Sequence, residues 1–373
     1  MYKRIMCPIV AVSLLLLSCQ PMADVKNEFL LNVEVNVEQE DTIFDFFDKE
    51  YTTIPLETND NFFIAQIDKI QMTDSCIYIA DAVTQGALFI FDREGYFLNK
   101  IQHRGTGKGE YVDFVDFDVF QSKIYILSRA SKKIFIYSSN DDLLDVISLD
   151  DYYQFLHVLD EHKLLLYSDY ANNTKKNLIC LDYQDNKIID SYLPFPVNQN
   201  ILSSQRPFNV SSTGKLFIKQ PYNYTIYEYD AGGLYEKYKL AFNTAEQLPE
   251  NIENLNFNDL YKQLRHKSLV KQIFNITQID STLYINFTLD YRINLVKVDL
   301  STGEYKRLIL EDRKDFPFSF MKPETYYKDY AVSFLEADVI LEMNEEGFPS
   351  DKHRNNQLSS DDNPVLFLRK LKK

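Results

Sequence analysis

Cys19 is the residue whose chemistry the sequence declares most directly. It follows Leu16-Leu17-Ser18, at the end of an apolar run from Ile9 that is preceded by the positive pair Lys3 and Arg4. Apolar residues, a small residue and then cysteine make a bacterial lipobox. In that chemistry the thiol is diacylated, the leader is cut away before the cysteine, and the freed amine is acylated. The apolar run is too short to cross a bilayer as a helix. The other reading is an ordinary secretory leader with an incidental cysteine, but charge, run length and cysteine position agree on the lipobox. Several acyl chains, at ~0.8 kcal/mol per buried CH₂, anchor a protein stably without a transmembrane helix. The expectation is a leader over 1–18, a lipid-anchored linker over 19–50, and an outer-membrane lipoprotein tied to the membrane through Cys19. No acidic run follows Cys19, so the side it faces stays open. Within the linker, Val33 to Glu40 alternates valine with polar residues and reads as a short strand or a tether. Of the other cysteines, Cys76 and Cys180 sit in apolar runs and read as buried thiols rather than a bridge.

The remaining reactive residue types form no catalytic constellation. Arg104-Gly105-Thr106-Gly107-Lys108-Gly109-Glu110 is not a phosphate loop, because no Ser or Thr follows the lysine, nor a dinucleotide fingerprint, because position 110 is Glu. It reads as a turn whose glycines allow positive φ. Asp113, Asp116 and Asp118 interleave with Phe114, Phe117 and Val119. Alternation puts Asp116 and Asp118 on one strand face, where they are weak candidates for a cation. They match no calcium-loop pattern, and a solvated wall is the preferred reading. The five histidines (His103, His157, His162, His266, His353) have no metal-binding spacing. There is no Gly-x-Ser-x-Gly elbow. No metal and no cofactor are expected. With no Trp, the best sugar-stacking side chain is missing, although 26 Tyr can substitute. A formal charge of −15 argues against nucleic acid as a partner.

The elements that would position such residues come from an internal repeat. An apolar strand recurs as Ile77–Ile79, Ile124–Leu127, Leu164–Tyr167, Leu216–Ile218 and Leu283–Ile285, with start-to-start spacings of 47, 40, 52 and 67. A polar turn precedes each. A second strand follows, ending in turns such as Asp92-Arg93-Glu94-Gly95 and Asp299-Leu300-Ser301-Thr302-Gly303, which suit tight hairpins. Short strands in units of about 40–50 residues predict an all-β, six-bladed β-propeller of four-stranded antiparallel blades over 51–373. One short helical insertion, about 245–270, accounts for the 67-residue spacing. The sixth unit comes from the ends. Tyr330–Phe334, Asp338–Glu342 and Pro364–Leu371 read as its strands, and Tyr51–Thr58 as the outer strand that closes the ring.

Ile54-Pro55-Leu56-Glu57-Thr58, the Ile77-Tyr78-Ile79 strand, Phe91 to Ile101, the loop Arg104 to Tyr111 and the terminal segment from Asn363 together resemble the six-bladed propeller lipoproteins of Bacteroidota, of the NHL/TolB-like type. The resemblance spans nearly all of the chain after the leader. That family usually has Gly-Pro-Gly-Glu-Tyr where this chain has Gly107-Lys108-Gly109-Glu110-Tyr111, so Lys108 is a departure. The resemblance implies a fold and an address rather than a reaction.

Propeller connectivity puts the blade-to-blade loops and the turns between second and third strands on one face. That face collects Arg104, Lys108, Glu110, Tyr111, Arg129, Arg206, Tyr222, Tyr224, Tyr291 and Arg292, together with the helical insertion. Arg and Tyr suit recognition surfaces. The function expected is a non-catalytic binding or scaffold propeller for a protein partner or an extracellular ligand. The alternative is a lyase or hydrolase using the axial pocket.

Overall fold

The computed structural model describes residues 25, 30–38, 40–59, 62–195, 205–244, 246–249, 252, 255, 257–265, 269–313, 316–345 and 358–373. The leader and Cys19 lie outside these residues. In chain order, β1 (Leu31–Val35), α1 (Ile43–Phe46) and β2 (Phe47–Pro55) come first. Blade 1 is β3 (Lys69–Met72), β4 (Cys76–Asp81), β5 (Ala87–Asp92) and β6 (Phe97–Ile101). Blade 2 is β7 (Asp116–Phe120), β8 (Lys123–Ser128), β9 (Lys133–Ser138) and β10 (Leu143–Ser148). Blade 3 is β11 (Phe155–Val158), β12 (Lys163–Tyr167), β13 (Lys176–Asp182) and β14 (Lys187–Pro194). Blade 4 is β15 (Phe208–Val210), β16 (Leu216–Lys219), β17 (Thr225–Asp230) and β18 (Gly233–Phe242), followed by α2 (Phe257–Gln263). Blade 5 is β19 (Gln272–Ile279), β20 (Thr282–Leu289), β21 (Arg292–Asp299) and β22 (Tyr305–Leu310), followed by α3 (Phe318–Met321). Blade 6 has β23 (Thr325–Tyr327) innermost, then β24 (Tyr330–Leu335), α4 (Ala337–Glu345) in the connection, and β25 (Val365–Leu371), with β2 paired antiparallel outside β25.

The recurring strand is the second of each blade, and its unbroken apolar sequence has a simple cause. Both of its faces are buried, each against a different neighbour. In β4, Ile77 and Ile79 join the core shared with blade 6, while Tyr78 and Ala80 join the core shared with blade 2. In β8 the same alternation sends Ile124 and Ile126 one way and Tyr125 and Leu127 the other. Six such cores fill the six gaps between blades. The ring is therefore closed, and its closing gap is packed by Val332, Leu366 and Leu368 against Ile77, Phe89 and Phe91.

Gly95 shows how tight that gap is. It turns between β5 and β6 with φ of +90°, and a Cβ there would lie 2.2 Å from the carbonyl oxygen of Pro55. Its own carbonyl accepts the Glu57 N–H at 2.8 Å. Only glycine permits this approach of blade 1 to β2.

Three elements differ from the sequence reading. Residues 31–50, read as part of a linker, are built into the ring. Val33 and Val35 of β1 pack with Leu240 and Phe242, and β1 adds a fifth strand, parallel to β18, at the outer edge of blade 4. The chain then runs along the outside of blade 5. There the Asp41 N–H donates to the Arg307 carbonyl at 2.7 Å, the Arg307 N–H donates to the Asp41 carboxylate at 3.0 Å, and Lys306 pairs with Asp45. It reaches β2 in blade 6, so residues 31–55 form a belt over three blades that covers exposed sheet edges. Secondly, Asp338–Glu342, read as a strand, lies inside α4. Ala337 and Ile340 are its buried positions, an i,i+3 spacing that suits a helix face rather than a strand. Thirdly, the described residues of the helical insertion contain one short helix, α2, and α1, α3 and α4 add minor helical content elsewhere. Among the described residues no helix is long and apolar enough to cross a membrane.

Candidate functional site

The innermost strands β3, β7, β11, β15, β19 and β23 surround an axial cavity of about 670 Å³. Each of these strands has one edge without a partner in its own sheet. Side chains of the preceding blade supply the missing partners. Asp116 sits on β7 with one carboxylate oxygen accepting the Leu156 N–H of β11 at 3.1 Å. Its other oxygen meets Lys69 Nζ at 3.0 Å and Arg206 Nη1 at 2.5 Å. Asp118 repeats the device two residues on. It accepts the Val158 N–H at 2.8 Å and Gln71 Nε2 at 2.7 Å, and lies 2.9 Å from His157 Nδ1. In blade 4, Asn209 does the same for blade 5, its side-chain oxygen accepting the Ile276 N–H at 3.0 Å. A buried backbone donor left unpaired would cost about 1–3 kcal/mol, so these side chains are stitches between neighbouring blades.

The electrostatics follow. Burial raises the Asp118 carboxyl, but the charge and hydrogen bond of His157, the Lys69 charge and the Val158 N–H outweigh it, bringing the pKa to about 2. The two aspartates read as weak cation candidates or a solvated wall are neither. Both are buried, and their lone pairs are committed to lysine, arginine, histidine, amide and backbone donors. Among the described residues no group of three or more His, Cys, Asp or Glu side chains is placed to hold a metal ion. Four acidic side chains (Asp68, Asp116, Asp118, Glu324) and four basic ones (Lys69, Arg206, Lys322, Lys328) line the cavity, so it is close to neutral inside an acidic chain.

A smaller cavity of about 280 Å³ lies beside the axial one, between Tyr222 and Tyr291, with Leu264 and Leu269 from the insertion on its wall. Gln272 and Thr288 line both cavities. Tyr291 is 68 % exposed, and Lys271 Nζ stands 4.1 Å from its ring centroid.

A family model described as a domain of unknown function, DUF4934, matches residues 28–370. The chain belongs to the DUF4934 family. The match takes in the belt as well as all six blades. No curated protein matches. Among solved structures, a Bacteroides fragilis NCTC 9343 protein described as exported is similar at 17 % identity and a TM-score of 0.72, covering 92 % of this chain and 100 % of that one. A DUF4221 member from Bacteroides vulgatus ATCC 8482 is similar at 11 % identity and a TM-score of 0.54, covering 88 % and 97 %. At these identities the likeness is one of fold.

In this DUF4934 propeller the residues expected on one face divide into three groups. Arg206 lines the axial cavity, and Tyr222 and Tyr291 line the smaller one. Tyr111 and Tyr224 are structural instead. Tyr111 is buried, donating its hydroxyl to the Gly86 carbonyl at 2.7 Å and accepting the His103 N–H at 3.1 Å. Tyr224 donates to the Val270 carbonyl at 2.8 Å and packs edge-on against Phe242. The rest serve loops away from both cavities. Arg104 bridges to Tyr111, Glu110 accepts the Gly107 N–H at 2.8 Å, and Lys108 is exposed. Arg129 donates to Gln154 at 3.2 Å, and Arg292 pairs with Glu311 at 3.6 Å. The site residues not anticipated are Lys69, Gln71, His157, Gln272 and Tyr326. Their one signal is position, since each lies on the short strand just before a recurring apolar one.

Proposed function

We propose that this protein is an exported, membrane-anchored recognition propeller that holds a small polar ligand in its axial cavity without transforming it. The observation carrying this reading is that the cavity's buried carboxylates are committed, Asp116 to Lys69 and Arg206 and Asp118 to His157, with Glu324 paired to Lys322. General acid–base catalysis needs a group titrating near the working pH, and an Asp118 held at about 2 does not serve. What remains is a preformed pocket within the roughly 300–1,000 Å³ range of small-molecule sites. Arg206, 34 % exposed, keeps guanidinium surface toward the cavity, which favours a ligand with an anionic group.

The test is a thermal-shift and calorimetry screen of short peptides and oligosaccharides, neutral and acidic. A true ligand at 100 times its Kd raises stability by about 2.7 kcal/mol. That gain should fall in Arg206→Ala and in Thr325→Trp, which fills part of the cavity. A ligand that stabilises both variants as well as the parent would place binding elsewhere, and chemical conversion of the ligand, read by mass spectrometry, would overturn the non-catalytic reading. Anchoring is tested separately. Cys19→Ala is expected to move the protein from the membrane to the soluble fraction, and retention in the membrane fraction refutes the lipid anchor.

A further inference from the structure

Three tyrosines occupy backbone conformations that tyrosine avoids. Tyr170, Tyr222 and Tyr291 have φ of +64°, +53° and +62°, at the turns between second and third strands of blades 3, 4 and 5. In blades 3 and 5 the preceding residues, Asp169 and Asp290, are also left-handed, each at +51°, giving the paired positive φ of a type I′ turn. Asn-Gly makes such a turn without strain, whereas a bulky side chain there is an outlier. Strain of this kind persists at ligand clamps and other functional sites. Two of the three, Tyr222 and Tyr291, line the same cavity of about 280 Å³.

We propose that the cleft between Tyr222 and Tyr291 binds a single pyranose ring, and that it is the outer subsite of an acidic oligosaccharide whose anionic end enters the axial cavity past Gln272 and Thr288. The inference rests on the axial reading for where the anionic end goes, and on the cleft itself for the class of ligand. The cleft lies just below the roughly 300–1,000 Å³ range of drug-sized sites, which suits one ring. Two tyrosine faces would cover the C–H surfaces of that ring. Asp290, Gln272, Thr288 and Lys271, whose ammonium stands over the Tyr291 ring, also line the cleft and are side chains able to bond sugar hydroxyls. A sugar ring offers hydroxyls to those polar side chains, which an aromatic peptide side chain does not. Among the lining residues only Leu264 and Leu269 are aliphatic.

The experiment is calorimetric titration of the full-length mature protein with tetrasaccharides of galacturonate and of hyaluronan, with maltotetraose as the neutral control and a Phe-bearing tetrapeptide as the aromatic control. At least one acidic tetrasaccharide should bind more tightly than maltotetraose. Tyr222→Ala and Tyr291→Gly should each weaken it about tenfold or more, the equivalent of about 1.4 kcal/mol. Tyr291→Gly should not lower Tm, since glycine relieves the left-handed strain, whereas loss of a purely structural tyrosine would lower it. If Arg206→Ala weakens saccharide binding and the tyrosine variants do not, the axial reading stands and the cleft proposal falls. If the tyrosine variants weaken binding and Arg206→Ala does not, the cleft stands without its axial continuation. Failure of every saccharide, or binding of the Phe peptide alone, overturns the proposal.

Discussion

Deleting residues 363–373 is expected to leave a chain that no longer unfolds in one cooperative step. The segment contains β25, which lies between β24 and β2, so its loss strips the hydrogen-bonding partner from both. Val365, Leu366, Phe367, Leu368 and Leu371 are all buried. At roughly 1.5–3 kcal/mol per buried side chain their sum is on the order of 10 kcal/mol, comparable with the whole net stability of a folded domain, about 5–15 kcal/mol. Arg369 leaves with them. Its guanidinium lies between the rings of Phe47 and Phe320, 4.1 and 4.6 Å from their centroids, and donates to the Met321 carbonyl at 3.0 Å. Circular dichroism and calorimetry of the truncated chain should show a broad transition or aggregation. A sharp transition with the enthalpy of the parent would mean that the ring does not depend on this strand.

Lys219→Met is expected to raise Tm at neutral pH and to flatten the alkaline limb of the stability curve. Lys219 ends β16, is 3 % exposed, and forms no ion pair among the described residues. Burial drives its pKa from 10.5 down to about 7, against the opposing pull of the Asp169 carboxylate. The sign follows from proton binding. Between about 7 and 10.5 the unfolded chain holds the proton and the folded chain releases it, so this lysine makes stability rise with pH across that window. Stability is lost as pH falls from 10.5 toward 7, and below 7 the penalty is constant. Methionine fills similar volume without the charge. Even a buried ion pair replaced by packed apolar side chains is often neutral or stabilising, by up to about 4 kcal/mol, and here no ion-pair partner among the described residues is lost. The comparison is of urea midpoints for parent and variant from pH 6 to 10. A variant less stable than the parent at pH 7, or an unchanged slope above 7, would show that the ammonium is well solvated or paired in the folded protein.

The parts of this fold legible from the sequence are those buried on two sides. The second and third strands of blades 1 to 5 stand out because six inter-blade cores demand unbroken apolar runs. Ring closure by the terminal strands was legible too, since Ile54-Pro55-Leu56 had no unit of its own. The β1 strand was not, because its partner is a parallel strand about 200 positions away and nothing local encodes that pairing. In α4, Val339-Ile340-Leu341 looks like strand sequence, and only the spacing of Ala337 and Ile340 betrays the helix.

The candidate site was half legible. Alternation placed Asp116 and Asp118 on one face, but it could not supply Lys69, His157 and Arg206, which come from three other blades. Tyr111 and Tyr291 are both loop tyrosines in sequence. One is buried, donating to the Gly86 carbonyl, and the other is largely exposed, a difference set by what packs over each loop.

The belt and the closing gap also impose an order in time. During synthesis β1 and β2 precede all six blades' inner strands, yet β1 has no partner until β18 is made, and β2 none until β25 of the closing blade. Bringing the ends of so long a loop together is entropically costly and slow. Both strands must therefore wait, edges open, β1 while about 200 residues are added and β2 while about 300 are. If the chain is exported in the extended state, that wait takes place after translocation, where a folding helper that shields strand edges would act first on residues 31–55.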